Sequence, residues 1–275
     1  MKLAQALRQG TVALRDIDGG ARDARVLLAG ALGVDASRIT LMADDDVTPG
    51  DVTRYQAMLA RRTAGEPVAR ILGQRRFWGQ VFKVTPDVLD PRPETETLIA
   101  EALQGPVPTR FLDLGTGSGI IALTLLGEWP GAQGVATDIS QAALNVARTN
   151  AHDLGVSGRL DLIQSDWYAC VSGTFDLIVS NPPYIGADEM AGLSREVREW
   201  DPEIALTPGG DGLSPYRVIA DGAPKYLCPG GRLMVEIGPT QGQAVAQMFR
   251  DAGLQGVALL ADLDGRDRVV TGRKA

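Results

Sequence analysis

Asn181-Pro182-Pro183-Tyr184 sets a planar amide, two residues of fixed φ that lack an N–H, and a phenolic ring in four consecutive positions. The prolines cannot continue a sheet ladder, so the segment forms a rigid platform with exposed carbonyls. The Asn181 side-chain carbonyl and the Pro182 backbone carbonyl can together accept both hydrogens of a flat NH2 group. The Tyr184 ring would cover that group's face and Pro183 would stiffen the turn. The chemistry this suits is alkylation of a planar nitrogen. An amide nitrogen is a poor nucleophile because its lone pair is delocalised into the carbonyl, and no side-chain base deprotonates it cheaply. Positioning must therefore do most of the catalysis. The catalytic candidates are Asn181, Pro182 and Tyr184, and the substrate-binding candidates are those three with Pro183.

A donor for such a reaction needs its own seat. Phe111-Leu112-Asp113-Leu114-Gly115-Thr116-Gly117-Ser118-Gly119-Ile120 reads as a strand ending in a glycine-rich turn that opens a helix. The spacing is GxGxG, and Ile120 stands where a GxGxxG dinucleotide motif carries its last glycine, which weakens a dehydrogenase reading. Without a pyrophosphate to cradle, Gly115, Thr116, Gly117, Ser118 and Gly119 can receive the amino-acid end of S-adenosyl-L-methionine. About twenty residues on, Asp138 ends the next apolar run, where a carboxylate can accept bonds from two ribose hydroxyls; it could equally cap the following helix. Ser165-Asp166-Trp167-Tyr168 follows a third run. There Asp166 could accept from an adenine amino group and Trp167 could pack on the ring or simply fill core.

The elements that must hold these residues follow from periodicity. Helical spacing, as in Ala24, Leu27, Leu28 and Ala31, predicts several short helices over residues 1–73, the first domain. Aromatic and β-branched residues from Phe77 to Val88 predict a β-hairpin linker over 74–90. Over 91–275 short apolar runs alternate with helical segments, predicting strands near 110–114, 133–137, 159–164, 175–180, 232–237, 256–262 and 267–272. The last two are joined only through Asp264-Gly265, so they must form an antiparallel hairpin. The fold class expected is α/β: a Rossmann-like sheet of the class I methyltransferase type ending in an antiparallel hairpin, with a small helical domain in front.

Composition excludes other classes. The 275 residues are 44% hydrophobic and 22% charged, ordinary for a globular chain. The longest apolar runs fall far short of the roughly 20 residues of a membrane span, and the amino terminus lacks a secretory pattern, so a cytoplasmic location without membrane contact is expected. Two cysteines, Cys170 and Cys228, and one histidine, His152, offer no metal-ligand set, and no metal is expected. Net charge is −7 but uneven: residues 1–76 carry 12 Lys+Arg against 9 Asp+Glu, leaving 15 against 25 beyond. An enzyme acting on nucleic acid usually has a stronger basic footprint. Arg61, Arg62, Arg70, Arg75 and Arg76, near the end of the helical front, are the candidates to grip a protein substrate.

The chain resembles the bacterial release-factor glutamine methyltransferases almost end to end. The likeness rests on Arg61-Arg62-Thr63-Ala64-Gly65-Glu66-Pro67, Ile71-Leu72-Gly73, Phe77-Trp78-Gly79 and Pro91-Arg92-Pro93-Glu94-Thr95-Glu96, then the glycine turn, Asp138, Ser165-Asp166-Trp167 and the Asn181–Tyr184 tetrapeptide. DNA amino-methyltransferases share the tetrapeptide; the Pro91–Glu96 segment makes the match specific. The resemblance implies N5-methylation of the glutamine in the Gly-Gly-Gln motif of peptide-chain release factors. It also implies that Gly115–Gly119, Asp138, Trp167 and Asn181 contact the cofactor while Asn181–Tyr184 hold the glutamine. Asp90 replaces the family's usual isoleucine and Asp201-Pro202 its Glu-Pro. Two other readings remain open: methylation of adenine N6 or cytosine N4 in nucleic acid, and a module that binds S-adenosylmethionine without turnover.

Overall fold

A computed structural model describes residues 1–275. It divides into two compact units, Met1–Gln74 with Ser194–Trp200, and Arg75–Leu193 with Asp201–Ala275.

The first unit is helical: α1 (Leu3–Ala13), α2 (Gly20–Leu32), α3 (Pro49–Thr63) and α4 (Val68–Leu72), joined from far along the chain by α8 (Arg195–Trp200). Leu3, Leu14, Leu27, Leu28, Ile39 and Tyr55 form its core. Thr48 caps α3, its Oγ1 accepting from Asp51 N at 3.2 Å, with Pro49 in the first turn where a missing N–H costs nothing. At Gly10 an added Cβ would lie 1.8 Å from the Tyr55 hydroxyl, so only glycine lets α1 approach that buried ring. Three of these helices are of ordinary length, 11, 13 and 15 residues, longer than the short helices expected. The participation of α8 is invisible to local periodicity, because a partner 134 residues away holds it: Arg62 Nη1 donates to Glu196 Oε2 at 3.0 Å.

In the second unit, β1 (Gln74–Phe77) and β2 (Gln80–Lys83) form a two-stranded hairpin. Its turn residues Trp78 and Gly79 have φ of 48° and 73°, the mirror-image turn that suits strand twist. The hairpin is shorter than the 74–90 expected; residues 84–94 hold no regular element. The main sheet has the strand order β5-β4-β3-β6-β7-β9-β8. Its members are β3 (Arg110–Leu114), β4 (Gln133–Asp138), β5 (Leu160–Gln164), β6 (Phe175–Ser180), β7 (Leu227–Glu236), β8 (Gln255–Ala261) and β9 (Asp267–Arg273). The first five positions pair in parallel, and β9 alone runs antiparallel to both neighbours. Strand β7 begins at Leu227, before the expected 232, because Cys228–Gly231 loop out of its register with β6.

Helices α5 (Thr95–Gln104), α6 (Ile120–Glu128), α7 (Gln141–Asp153), α9 (Glu203–Leu206), α10 (Ser214–Tyr226) and α11 (Gly242–Asp251) complete the unit. Side chains alternate across the sheet with period two. Ile178, Leu233 and Val235 enter the core with Tyr216 and Phe249, whereas Leu177, Val179 and Met234 enter the opposite core with Leu98 and Leu125. The carboxyl ends of β3, β4 and β6 open on one cavity, the place where open α/β sheets bind ligands.

Candidate active site

The cavity, about 330 Å³, lies wholly within the sheet unit. Gly115 and Gly117 line it with φ of 71° and 56°, and Gly119 behind them has φ of 84°, left-handed conformations that only glycine adopts without strain. Gly119 is glycine for a second reason: a Cβ there would meet Leu123 Cδ1 at 2.8 Å, so α6 could not start so close to the turn. Beneath the turn Asp113 Oδ2 accepts from Thr116 Oγ1 at 2.6 Å and from Ala122 N at 3.3 Å. Burial pushes the Asp113 carboxyl up to about 7, against the lowering effect of those two bonds; nearby Asp138 raises it further.

Asp138 faces the cavity with both oxygens already in use, Oδ2 accepting from Gly117 N and Oδ1 from Ser140 N, each at 2.9 Å. It therefore braces the glycine turn and the start of α7 together. Burial raises its pKa, and the bonds from Ser140, Gly117 and Ile139 pull it back down. Each oxygen keeps a lone pair for a ligand hydroxyl. The cap expected of Ser140 is present as well, its Oγ accepting from Ala143 N at 3.2 Å. Asp166 and Trp167 line the cavity beyond β5. Trp167 has φ of 47°, a conformation that costs a bulky residue on the order of 1–3 kcal/mol. Ser165 holds it there, donating to Trp167 O and accepting from Cys170 N, both at 2.9 Å.

At the end of β6 the Asn181 amide donates through Nδ2 to Thr95 Oγ1 at 3.3 Å, leaving Oδ1 as the uncommitted end. Asn181 and Pro183 line the cavity; Pro182 is buried outside its wall, and Tyr184 and Gly119 also stand outside it. The Tyr184 carbonyl accepts from Gln241 Nε2 at 2.8 Å, and its ring packs on the core beneath β7. Burial drives the Tyr184 phenol up to about 12, keeping it neutral.

Several wall residues carried no sequence signal. Thr95 and Arg92 sit inside the family-specific Pro91–Glu96 segment, but nothing in their local pattern pointed inward. Pro208 and, on α10, Ser214 and Val218 close the cavity from the stretch between β6 and β7, where helix was expected but no residue was singled out. The two departures from the family pattern meet one another. Asp90 N donates to Asp201 Oδ1 at 3.2 Å, Arg92 pairs with Asp201, and the Asp90 carboxylate lies 3.6 Å from Arg75 Nη1. The arginines expected to grip a partner are largely engaged in the protein itself. Arg61 chelates Glu66, and Arg62, 7% exposed, bonds Asp23 and Glu196.

A family model described as the PrmC N-terminal domain matches residues 5–73, and one described as the methyltransferase small domain matches residues 92–197. A release factor glutamine methyltransferase of Cereibacter sphaeroides is 57% identical over 275 residues, 99% of each chain. Another from Rhodospirillum rubrum is 45% identical over 256 residues, covering 92% of this chain and 78% of that one. Among solved structures, a methyltransferase from Pyrococcus furiosus superposes with a TM-score of 0.55 at 17% identity, covering 81% of this chain and 99% of the other, a likeness of fold alone. With near-complete coverage at that level of identity, and a glycine turn and Asn-Pro-Pro-Tyr segment facing one crevice, the chain belongs to the release factor glutamine methyltransferase family.

Proposed function

We infer that this chain transfers a methyl group from S-adenosylmethionine to the side-chain amide nitrogen of the glutamine in the Gly-Gly-Gln motif of peptide-chain release factors. The observation that carries the reading is Asn181: its NH2 end is taken by Thr95, and its carbonyl end is left for the substrate at the rim of a cavity whose other side is a glycine turn. The cavity fits the cofactor. Left-handed glycines give close access to backbone, the Asp138 carboxylate retains acceptor capacity, and Trp167 offers an aromatic surface. When bound, S-adenosylmethionine supplies an electrophilic methyl on a sulfonium.

Everything else falls to the chain's own side chains. Gly115 to Gly119 with Thr116 and Ser118 hold the amino-acid end, Asp138 the ribose, and Asp166 with Trp167 the adenine. Asn181 Oδ1 and the Pro182 carbonyl accept the two amide hydrogens of the glutamine. That draws electron density towards its nitrogen and fixes the nitrogen for attack on the methyl that the bound cofactor would supply, the displaced amide proton being lost to solvent. Pro183, on the cavity wall, flanks the amide, and Tyr184, neutral at working pH, backs the segment from outside the wall. A glutamine flanked by glycines suits a narrow crevice, because glycines let the backbone follow unusual paths and add no bulk. The helical unit is the docking element for the rest of the release factor, and its surface rather than the engaged arginines makes the contact. The partner is a protein, with no nucleic acid or membrane, and the reaction is cytoplasmic.

The test offers a labelled methyl donor in parallel with release factor, a release factor lacking the motif glutamine, DNA and RNA. Label should appear only on the intact release factor, and mass spectrometry should place one methyl on the glutamine. Label on nucleic acid would instead favour an exocyclic amino group as substrate.

A further inference from the structure

The Asn181 amide can serve as a hydrogen-bond acceptor only if it is held the right way round. Its two ends are nearly equal in size and opposite in sense, so a half-turn of the side chain would present an NH2 to the substrate NH2 and abolish the clamp. Thr95 does not decide between the two, because a hydroxyl can donate as well as accept.

Strand register brings a second group to the same place. Ser180 of β6 pairs with Val235 of β7, so Asn181 and Glu236 are the next residues out, side by side at the carboxyl ends of two parallel strands. Glu236 is 1% exposed, and its Oε2 has no hydrogen-bond partner in the protein. Thr95, at the start of α5, and the Asn181 amide lie near enough to its carboxyl to hold its pKa down against burial. The other charged or titratable groups facing it are Arg268 of β9, Glu94 ahead of α5, Tyr184, and Tyr216 of α10. Arg268 is already committed, bonding Asp262 through Nε and Nη2 at 3.3 and 3.2 Å and Ile237 O through Nη1 at 3.3 Å. Tyr216 donates to the Glu236 backbone carbonyl at 2.9 Å. The carboxyl is thus left to Thr95 and Asn181. It does not reach the cavity wall, so it acts on the substrate only through another residue.

We propose that Glu236 is a positioning residue for methyl transfer: it accepts from the NH2 end of Asn181 and so keeps the carbonyl end turned to the substrate nitrogen. An ionised carboxylate can only accept, and a flipped Asn181 would set oxygen against oxygen; a protonated one can donate, and then both orientations are tolerated. Burial pushes Glu236 up to about 7, so this control weakens as pH falls through that value. The proposal rests on the functional reading above.

The experiment compares wild type, Glu236→Gln, Asn181→Asp and the double variant in single-turnover methylation of release factor between pH 5.5 and 8.5, with cofactor affinity by calorimetry. Glu236→Gln should lower the rate about tenfold or more at pH 8, leave cofactor affinity within about threefold, and remove an acid limb that wild type shows. Asn181→Asp, which sets two carboxylates together, should be slower still. Adding Glu236→Gln to it restores an NH2 against an acceptor and should recover about fivefold or more, a sign reversal that loss of packing cannot produce. A wild-type rate and pH profile for Glu236→Gln, or no recovery in the double variant, overturns the proposal. If Glu236→Gln does not fold by thermal melting, Thr95→Val reads the same cluster: a rate loss of about threefold or more at unchanged cofactor affinity supports the proposal, and no loss overturns it. Wild type that fails to methylate release factor at all would indict the functional reading instead.

Discussion

The two sides of the crevice are held in different ways. On the glycine side, backbone does the holding: Asp138 accepts from Gly117 and Ser140 N–H groups, and the turn bonds back to the sheet through Thr116 N to Thr137 O at 2.9 Å. On the Asn181 side, side chains from three separated segments meet: Thr95, Asn181 and Glu236. A backbone-held site is shaped by local sequence and tolerates little but the right glycines. A side-chain-held site can be tuned, because each member has an ionisation state or an orientation that its neighbours bias.

The sharpest way to separate the two sides is to remove one residue from each. Asn181→Ala should cut single-turnover methyl transfer by about 10²- to 10³-fold, the loss typical of one preorganised polar group, while most cofactor contacts survive. A near-normal rate would mean the amide is held elsewhere. Asp138→Ala should act in the opposite sense, weakening cofactor binding by about one to two orders of magnitude with a smaller change in the rate of the bound complex. A charged hydrogen-bond group is worth roughly 1.5–3 kcal/mol, and here the loss also frees the Gly117 N–H. Calorimetry that finds unchanged affinity would break the division of labour.

A third probe tests whether the backbone-held side also carries a titration. Asp113 has its carboxyl raised from 3.8 to about 7 in the folded chain. Between those values the folded state holds a proton that the unfolded state has lost, so this group's contribution to stability is present at low pH and declines as pH rises towards 7. Asp113→Asn cannot titrate. Its melting temperature relative to wild type should therefore climb between pH 5 and pH 8, by a few degrees if about 1 kcal/mol is at stake. A difference that stays constant with pH would show that Asp113 does not exchange a proton on unfolding.

The same division explains what could be read from the sequence. The glycine turn, Asp138 and the Asn181 segment each follow a strand directly, so period-two patterning and turn chemistry located them, and the hairpin through Asp264-Gly265 followed from connection length alone. Thr95 and Glu236 were silent because one opens a helix and the other ends a strand like any buried residue; their meaning arises only when register brings them to Asn181. Pro182 and Tyr184 illustrate the converse. Their types declared chemistry, yet local sequence could not say that they stand back from the cavity wall. The arginines of the front region were conspicuous by count, but whether a charge faces outward depends on partners as distant as Glu196.

Glu196 supplies the smallest and most selective test. It lies on α8, a six-residue helix in the stretch that follows the Asn-Pro-Pro-Tyr segment, yet its Nη1 contact from Arg62 ties it to the helical unit. Because the Glu196 side chain is 42% exposed, losing the pair should change global stability by no more than about 1 kcal/mol. Arg62 keeps its bond to Asp23 at 2.8 Å, so no buried charge is stranded. What Glu196→Ala should change is local: amide exchange over residues 194–200 should quicken, since a helix this short has little stability of its own. If α8 matters for presenting a protein substrate, KM for release factor should rise a few-fold while cofactor affinity stays level. Faster exchange with an unchanged KM would assign α8 to the architecture of the helical unit alone, and the docking role would then have to reside on another of its surfaces.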